Sequence, residues 1–268
     1  MIVESCVSEG KVCIWCLRIE GQVNFKTKAH IFPDSLGGKR MCQDECDECN
    51  NYFGSKQNGL PSVDIAFKEV LNISRYFLQS NMNLPFQKKS RFKSEYFDLD
   101  KRTNVIKPLF KYSNLKSFQD NFVKQFARGI YKVFLAERQK SRRDALKSEY
   151  DFIRAFARYG IGNLPIFYCR PNIPAIAVSD DVIKPVIRFT EYSDYTMSDF
   201  GFYSYDFMTH TFVFPTINNY EICFESFVQH LKEKDTYESI KKVTRVSDID
   251  LLFTYALGKD NERSRRWG

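Results

Sequence analysis

The sequence predicts an α+β protein in which a small cysteine-stapled head precedes a larger mixed α+β body. Three observations carry that expectation. Six of the eight cysteines, Cys6, Cys13, Cys16, Cys42, Cys46 and Cys49, fall before residue 50. Apolar residues then recur at helical spacing to about residue 160, and from 166 onward the pattern breaks into short β-rich runs. A chain of 268 residues with 43% hydrophobic content suffices for one large domain or two modest ones. With 12 Gly and 9 Pro it is neither linker-like nor fibrous. No window approaches the roughly 18 uncharged apolar residues of a membrane span. The first ten residues carry Glu4 and Glu9 and no basic lead into an apolar run, so a cytoplasmic protein is expected.

The cysteines are the most specific signal. Cys13-Ile14-Trp15-Cys16 and Cys46-Asp47-Glu48-Cys49 are both C-x2-C knuckles. Each can place two thiolates on one tetrahedral cation through a tight turn, and together they make a closed structural zinc site. In a cytosolic chain disulfides lose to metal. Cys42 is a rival ligand for the second knuckle, at the less usual C-x3-C spacing. Cys6, Cys169 and Cys223 read as small buried residues.

Charge is unevenly spread. The net charge is +7, yet residues 1–60 hold seven Lys/Arg against eight Asp/Glu, leaving the excess in the body. A basic body beside a near-neutral head suits a polyanion.

Between the knuckles runs His30-Ile31-Phe32-Pro33-Asp34-Ser35-Leu36-Gly37-Gly38, and Asn50-Asn51-Tyr52-Phe53-Gly54 follows the second. The order C-x2-C, H-I-x-P-x-S-L-G-G, C-x2-C-N-N-x-F-G resembles the HNH endonucleases, in the branch whose ββα-metal core is stapled by four cysteines. The resemblance covers about residues 11–56. It implies an HNH nuclease head over 1–60, and the residue pattern beyond it reads as a connecting helix and hairpin over 61–115 and an α+β domain, for recognition or regulation, over 116–268. It further implies Cys13, Cys16, Cys46 and Cys49 on Zn²⁺, His30 as general base, and Asn50 as ligand of a catalytic Mg²⁺ or Mn²⁺. The substrate would be DNA, most naturally double-stranded, with Lys28, Lys39 and Arg40 near its phosphates. Family habit points to a restriction or phage-defence effector, with a homodimer serving a double-strand cut and a partner or activator for the C-terminal domain.

These roles also make chemical sense from the residues. Phosphodiester hydrolysis needs a base for water and a cation for the developing charge, and histidine titrates near neutral pH. Asn50 offers an oxygen to a hard cation, although Asn50 and Asn51 also suit a helix cap. Gly37-Gly38 permits a turn that brings backbone to phosphate. One departure stands out. Many HNH enzymes carry Asp or Glu before the base histidine, and this chain has Ala29. Either the metal ligands come from elsewhere, or activity is reduced, or the position was changed to trap a complex. The alternative function is therefore a zinc-stapled nucleic-acid-binding protein whose nuclease activity is lost or activator-dependent.

The body is read in order. A helix is expected over 61–79 from Val63, Phe67, Val70, Ile73 and Phe77. A basic strip at 88–93 and a hairpin flanking 100–104 follow. Phe118, Phe122, Phe126, Ile130 and Phe134 at steps of four give an amphipathic helix over 116–139. The densest basic stretch, 138–143, follows it. A second helix runs from about 145 to Gly160. Strand-like runs are expected at 166–169, 186–192, 200–207, 211–214 and 221–224, with helix at 228–234 and at 248–257. His210 and His230 read as structural. The 25 Phe and 15 Tyr suit an aromatic core at least as well as a base-flipping pocket. The basic-aromatic tail 263–267 reads as a frayed end.

Overall fold

In a computed structural model, residues 10–56, 61–81, 93–100, 105–109, 116–172, 187–207 and 210–249 are described. Cys6, the basic strip at 88–92, the hairpin tip at 101–104, the stretch after Ile249 and the tail lie outside them. The chain is mixed α+β with antiparallel sheets and a head followed by a larger body, as the sequence predicts. No helix among the described residues is long and apolar enough to cross a membrane.

The head holds β1 (Ala29–His30), β2 (Met41–Cys42) and α1 (Asp47–Gly54). The two strands pair antiparallel with Ala29 opposite Cys42 and His30 opposite Met41. Next comes α2 (Val63–Asn81), whose first turn is closed by Ser62 Oγ accepting from Ile65 N–H at 3.2 Å. Strands β3 (Phe97–Asp100) and β4 (Val105–Pro108) form the expected hairpin. The long α3 (Lys116–Arg142) follows the phenylalanine period. Then come α4 (Asp151–Tyr159), β5 (Phe167–Pro171), α5 (Glu191–Phe200), β6 (Phe202–Phe207), β7 (His210–Pro215), α6 (Glu221–Glu233) and β8 (Tyr237–Lys242).

The body is layered around a four-stranded antiparallel sheet in the order β6-β7-β5-β8. Its strands alternate with period two. Tyr168, Tyr203, Tyr205, Phe212 and Phe214 face α2 and α3, where Phe126 meets Phe212 and Tyr131 meets Phe214 with ring centroids 5.6 and 4.9 Å apart. Phe167, Cys169, Phe202 and Val213 face α6 instead, with Phe202 stacked on Phe227 at 4.5 Å. The head joins the first of these cores. Phe32, two residues after His30, packs on Phe67 of α2 and on Tyr205 and Phe207 of β6. The buried aromatic residues thus fill a core between head, helices and sheet.

Several body expectations are corrected. The expected strand at 186–192 gives way to coil at 187–190 and then α5, capped by Thr190 and Ser193 in a reciprocal capping box. The run at 221–224 is the first turn of α6, because Phe224, Phe227 and Leu231 continue at helical spacing onto the sheet. Residues 145–150 form a loop and a 3-10 turn before α4. The edge strand β8 had not been expected: Glu238, Lys241 and Lys242 are exposed, so it lacks a strong apolar alternation.

Candidate active site and metal centre

Two turns build the metal centre. The first knuckle folds over Cys13–Cys16, with Leu17 N–H on the Cys13 carbonyl, and the second opens α1, with Cys46 at its N-cap. The sulfurs of Cys13, Cys16, Cys46 and Cys49 all lie within 4.8 Å of one another. Cys16 and Cys46 Sγ stand 3.8 Å apart. Tetrahedral thiolates at the usual Zn–S length would be about 3.8 Å apart, whereas a disulfide needs about 2 Å. Donor type, number and spacing all fit Zn²⁺. Cys42 lies outside this cluster, buried on β2 opposite Ala29, where desolvation pushes its thiol up. A hydrogen bond with Cys49 pulls the Cys13 thiol down, while burial pushes Cys46 up.

His30 stands on β1 one residue beyond the fully buried Ala29, so its ring leaves the core and is only partly covered. Its Nδ1 lies 3.3 Å from the Gly38 carbonyl. A carbonyl only accepts, so Nδ1 is the donor in this contact, and in the neutral ring Nε2 is then the acceptor nitrogen. Gly38 is required there by close approach: a Cβ would come within 2.3 Å of the Phe32 carbonyl oxygen. The second glycine of the pair therefore packs inward and does not offer backbone to a phosphate.

Asn50 follows Cys49 in α1 and is oriented by a chain of side chains. Its Nδ2 donates to Thr27 Oγ1 at 3.2 Å, and that hydroxyl donates to Asp47 Oδ1 at 2.7 Å. Thr27 N–H also donates to Asp47, and these two bonds hold the Asp47 carboxyl below the ordinary range. Asn51 bonds only locally, accepting from Ser55 Oγ at 3.1 Å. Lys28 is exposed beside β1, Lys39 is exposed and paired with Asp34 at 3.0 Å, and Arg40 turns inward to Glu137 of α3 at 2.7 Å. Thr27 gave no sequence signal, since it lies 23 residues from Asn50 and outside every spacing motif.

A fold of two short strands and a helix, with its four-cysteine cluster, is the arrangement on which the comparison with known families bears. Residues 13–59 match the family model described as HNH endonuclease. The head is thus similar to HNH domains. No curated protein and no solved structure matches the chain. The HNH match supports nuclease activity on nucleic acid and a bound metal, and it ends before α2.

The head is also bolted to the body by charge. Lys132 of α3 is buried and donates to Asp64 of α2 at 2.7 and 2.9 Å, with its ammonium over the Phe53 ring. Gln139 Nε2 and Arg143 Nη1 both donate to Asp44 Oδ2 between the strands and the second knuckle. Arg128 reaches the Tyr52 hydroxyl of α1 at 2.9 Å and two carbonyls at the end of α4.

Proposed function

We propose that the HNH head hydrolyses phosphodiester bonds in DNA, with His30 Nε2 taking the proton of the attacking water. The observation that supports this reading is the His30–Gly38 contact, which occupies Nδ1 of a partly exposed imidazole and leaves Nε2 as the nitrogen available to water. Asn50 is the residue we assign to hold Mg²⁺ or Mn²⁺: with Nδ2 committed to Thr27, its Oδ1 is the end left for a hard cation. Such an ion supplies charge neutralisation at the phosphate and the leaving oxygen. Among the described residues the four cysteines are the one cluster of three or more His, Cys, Asp or Glu ligands. Most of a cation's shell at Asn50 would therefore be water and phosphate, as is common for Mg²⁺. The cysteines hold structural Zn²⁺, and Lys28 and Lys39 approach the phosphate backbone. Arg40 serves the fold through Glu137.

In this reading 61–115 connects, 116–268 selects or regulates, and the protein acts in the cytoplasm as a restriction or phage-defence effector on double-stranded DNA. A homodimer would cut both strands, and a partner or activator would act through the body. A second reading rests on Ala29. That position is fully buried and carries no carboxylate, which favours a nucleic-acid-binding protein with lost or activator-dependent cleavage.

A plasmid-nicking assay with Mg²⁺, Mn²⁺ or EDTA decides between them, run on the chain, His30→Ala and Ala29→Asp with folding checked by circular dichroism. The expected result is metal-dependent nicking that falls about 10²–10⁴-fold in His30→Ala. Cleavage by Ala29→Asp alone marks a disabled nuclease, and cleavage by none supports the binding reading.

A further inference from the structure

Two arginines touch the four-cysteine centre, one on each knuckle. Arg18 Nε donates to Cys16 Sγ at 3.4 Å, and Arg158 Nε donates to Cys49 Sγ at 3.2 Å. Four thiolates on a divalent cation carry a net charge of about −2, which the two guanidinium groups offset. Arg18 belongs to the head, and its second nitrogen pairs with Glu48, tying one knuckle to the other. Arg158 is the unexpected member. It sits at the end of α4, outside the matched HNH segment and 109 residues from the sulfur it contacts.

Its position is over-determined. The guanidinium lies 3.7 Å from the centroid of the Tyr52 ring, on the helix that carries Cys49 and Asn50. The Tyr52 hydroxyl is held by Arg128 at 2.9 Å, and the same Arg128 nitrogen donates to the Arg158 carbonyl at 3.1 Å. Arg128 thus pins both Arg158 and the ring beneath it. An N–H on a metal-bound sulfur withdraws charge from the thiolate and fixes its direction, and loss of such outer contacts typically weakens a site about 10–100-fold.

We propose that Arg158, acting with Arg18, is a positioning residue of the zinc centre, through which the body sets how tightly the head retains its metal. This rests on the reading of the four cysteines as a zinc site. Cys49 directly precedes Asn50, so the same contact holds the start of α1 where the cation-binding amide projects.

The test uses the full chain. Metal content of the purified protein is measured by mass spectrometry, and zinc loss to a colorimetric chelator is timed for the chain, Arg158→Gln, Arg158→Lys, Arg18→Gln and the remote surface control Arg142→Gln. The same proteins are reconstituted with Co²⁺ to read the sulfur-to-metal charge-transfer band. The expected result is zinc loss about 10–100-fold faster in Arg158→Gln, a charge-transfer band moved to longer wavelength, partial recovery in Arg158→Lys, and no change in Arg142→Gln. Should Arg158→Gln fail to fold, the band of Arg158→Lys decides, since it changes the donor while keeping the charge. A metal-bearing wild type whose Arg158 variants match it in rate and band overturns this inference alone. A metal-free wild type overturns the zinc reading and this inference with it.

Discussion

His210 shows how a single side chain can set an acid limit on the fold. It is fully buried on β7, with Nε2 2.7 Å from Ser74 Oγ of α2 and Nδ1 3.5 Å from the Tyr168 hydroxyl. Burial disfavours its charged form and pulls its pKa down to about 4. The unfolded chain, with an ordinary histidine, takes up a proton below about 6.5 while the folded chain does not. Stability therefore falls as pH drops from about 6.5 towards 4, by about 3 kcal/mol over the whole interval. Urea melts at pH 7 and pH 4.5 should show this loss, and His210→Gln should flatten that part of the profile. A profile unchanged by the substitution would mean that His210 is not the group responsible.

At the scale of elements, α3 explains most of what the sequence made legible and what it hid. Its phenylalanine period was readable because Phe118, Phe122, Phe126 and Phe134 face one core. Its other side, with Gln125, Arg128, Lys132 and Gln139, looks like a solvated face yet is buried. The partners of Arg128, Lys132 and Gln139 lie far away in sequence, so no local pattern could announce them. The basic stretch at 138–143 also carries ion pairs within the fold. Arg138 pairs with Asp144, Arg142 with Asp194 and Arg143 with Asp44, so these arginines are engaged within the fold. Helix α5 was hidden for a different reason: its capping box ends in Ser193 where the usual pattern has Glu or Gln. The cysteine knuckles, by contrast, are local, and the structure brings their four sulfurs together as spaced.

The crossing of α2 and α3 yields an element-scale prediction. A Cβ at Gly129 would lie 2.7 Å from the Phe67 Cβ, and Phe67 is fixed between Phe32 and Phe126. Helix propensity alone favours Gly129→Ala by about 1 kcal/mol. Overpacking opposes it by about 1–3 kcal/mol, and Phe67 has no room to yield. Net destabilisation is expected in a urea melt, larger for Gly129→Val. A stabilised Gly129→Ala would show that the two helices can separate without cost.

For the whole molecule, the decisive fact is that head and body share one hydrophobic cluster, running from Cys13 through α2 and α3 to the sheet. Structural zinc contributes about 10–16 kcal/mol to folding in small isolated zinc peptides. In this chain that contribution should be felt beyond the head. Stripping the metal with a strong chelator is expected to lower the melting temperature in one calorimetric transition, accompanied by loss of helical signal from α3. Two separate transitions would show the head to be an independent unit.

The bond between Arg158 and Cys49 has a temporal consequence. The arginine that contacts the second knuckle is translated 109 residues after the cysteine it meets. At the usual pace of synthesis that is a delay of roughly 5–20 s. During that interval Cys49 lacks its guanidinium donor. The second knuckle therefore gains its Arg158 contact only once α4 has been made.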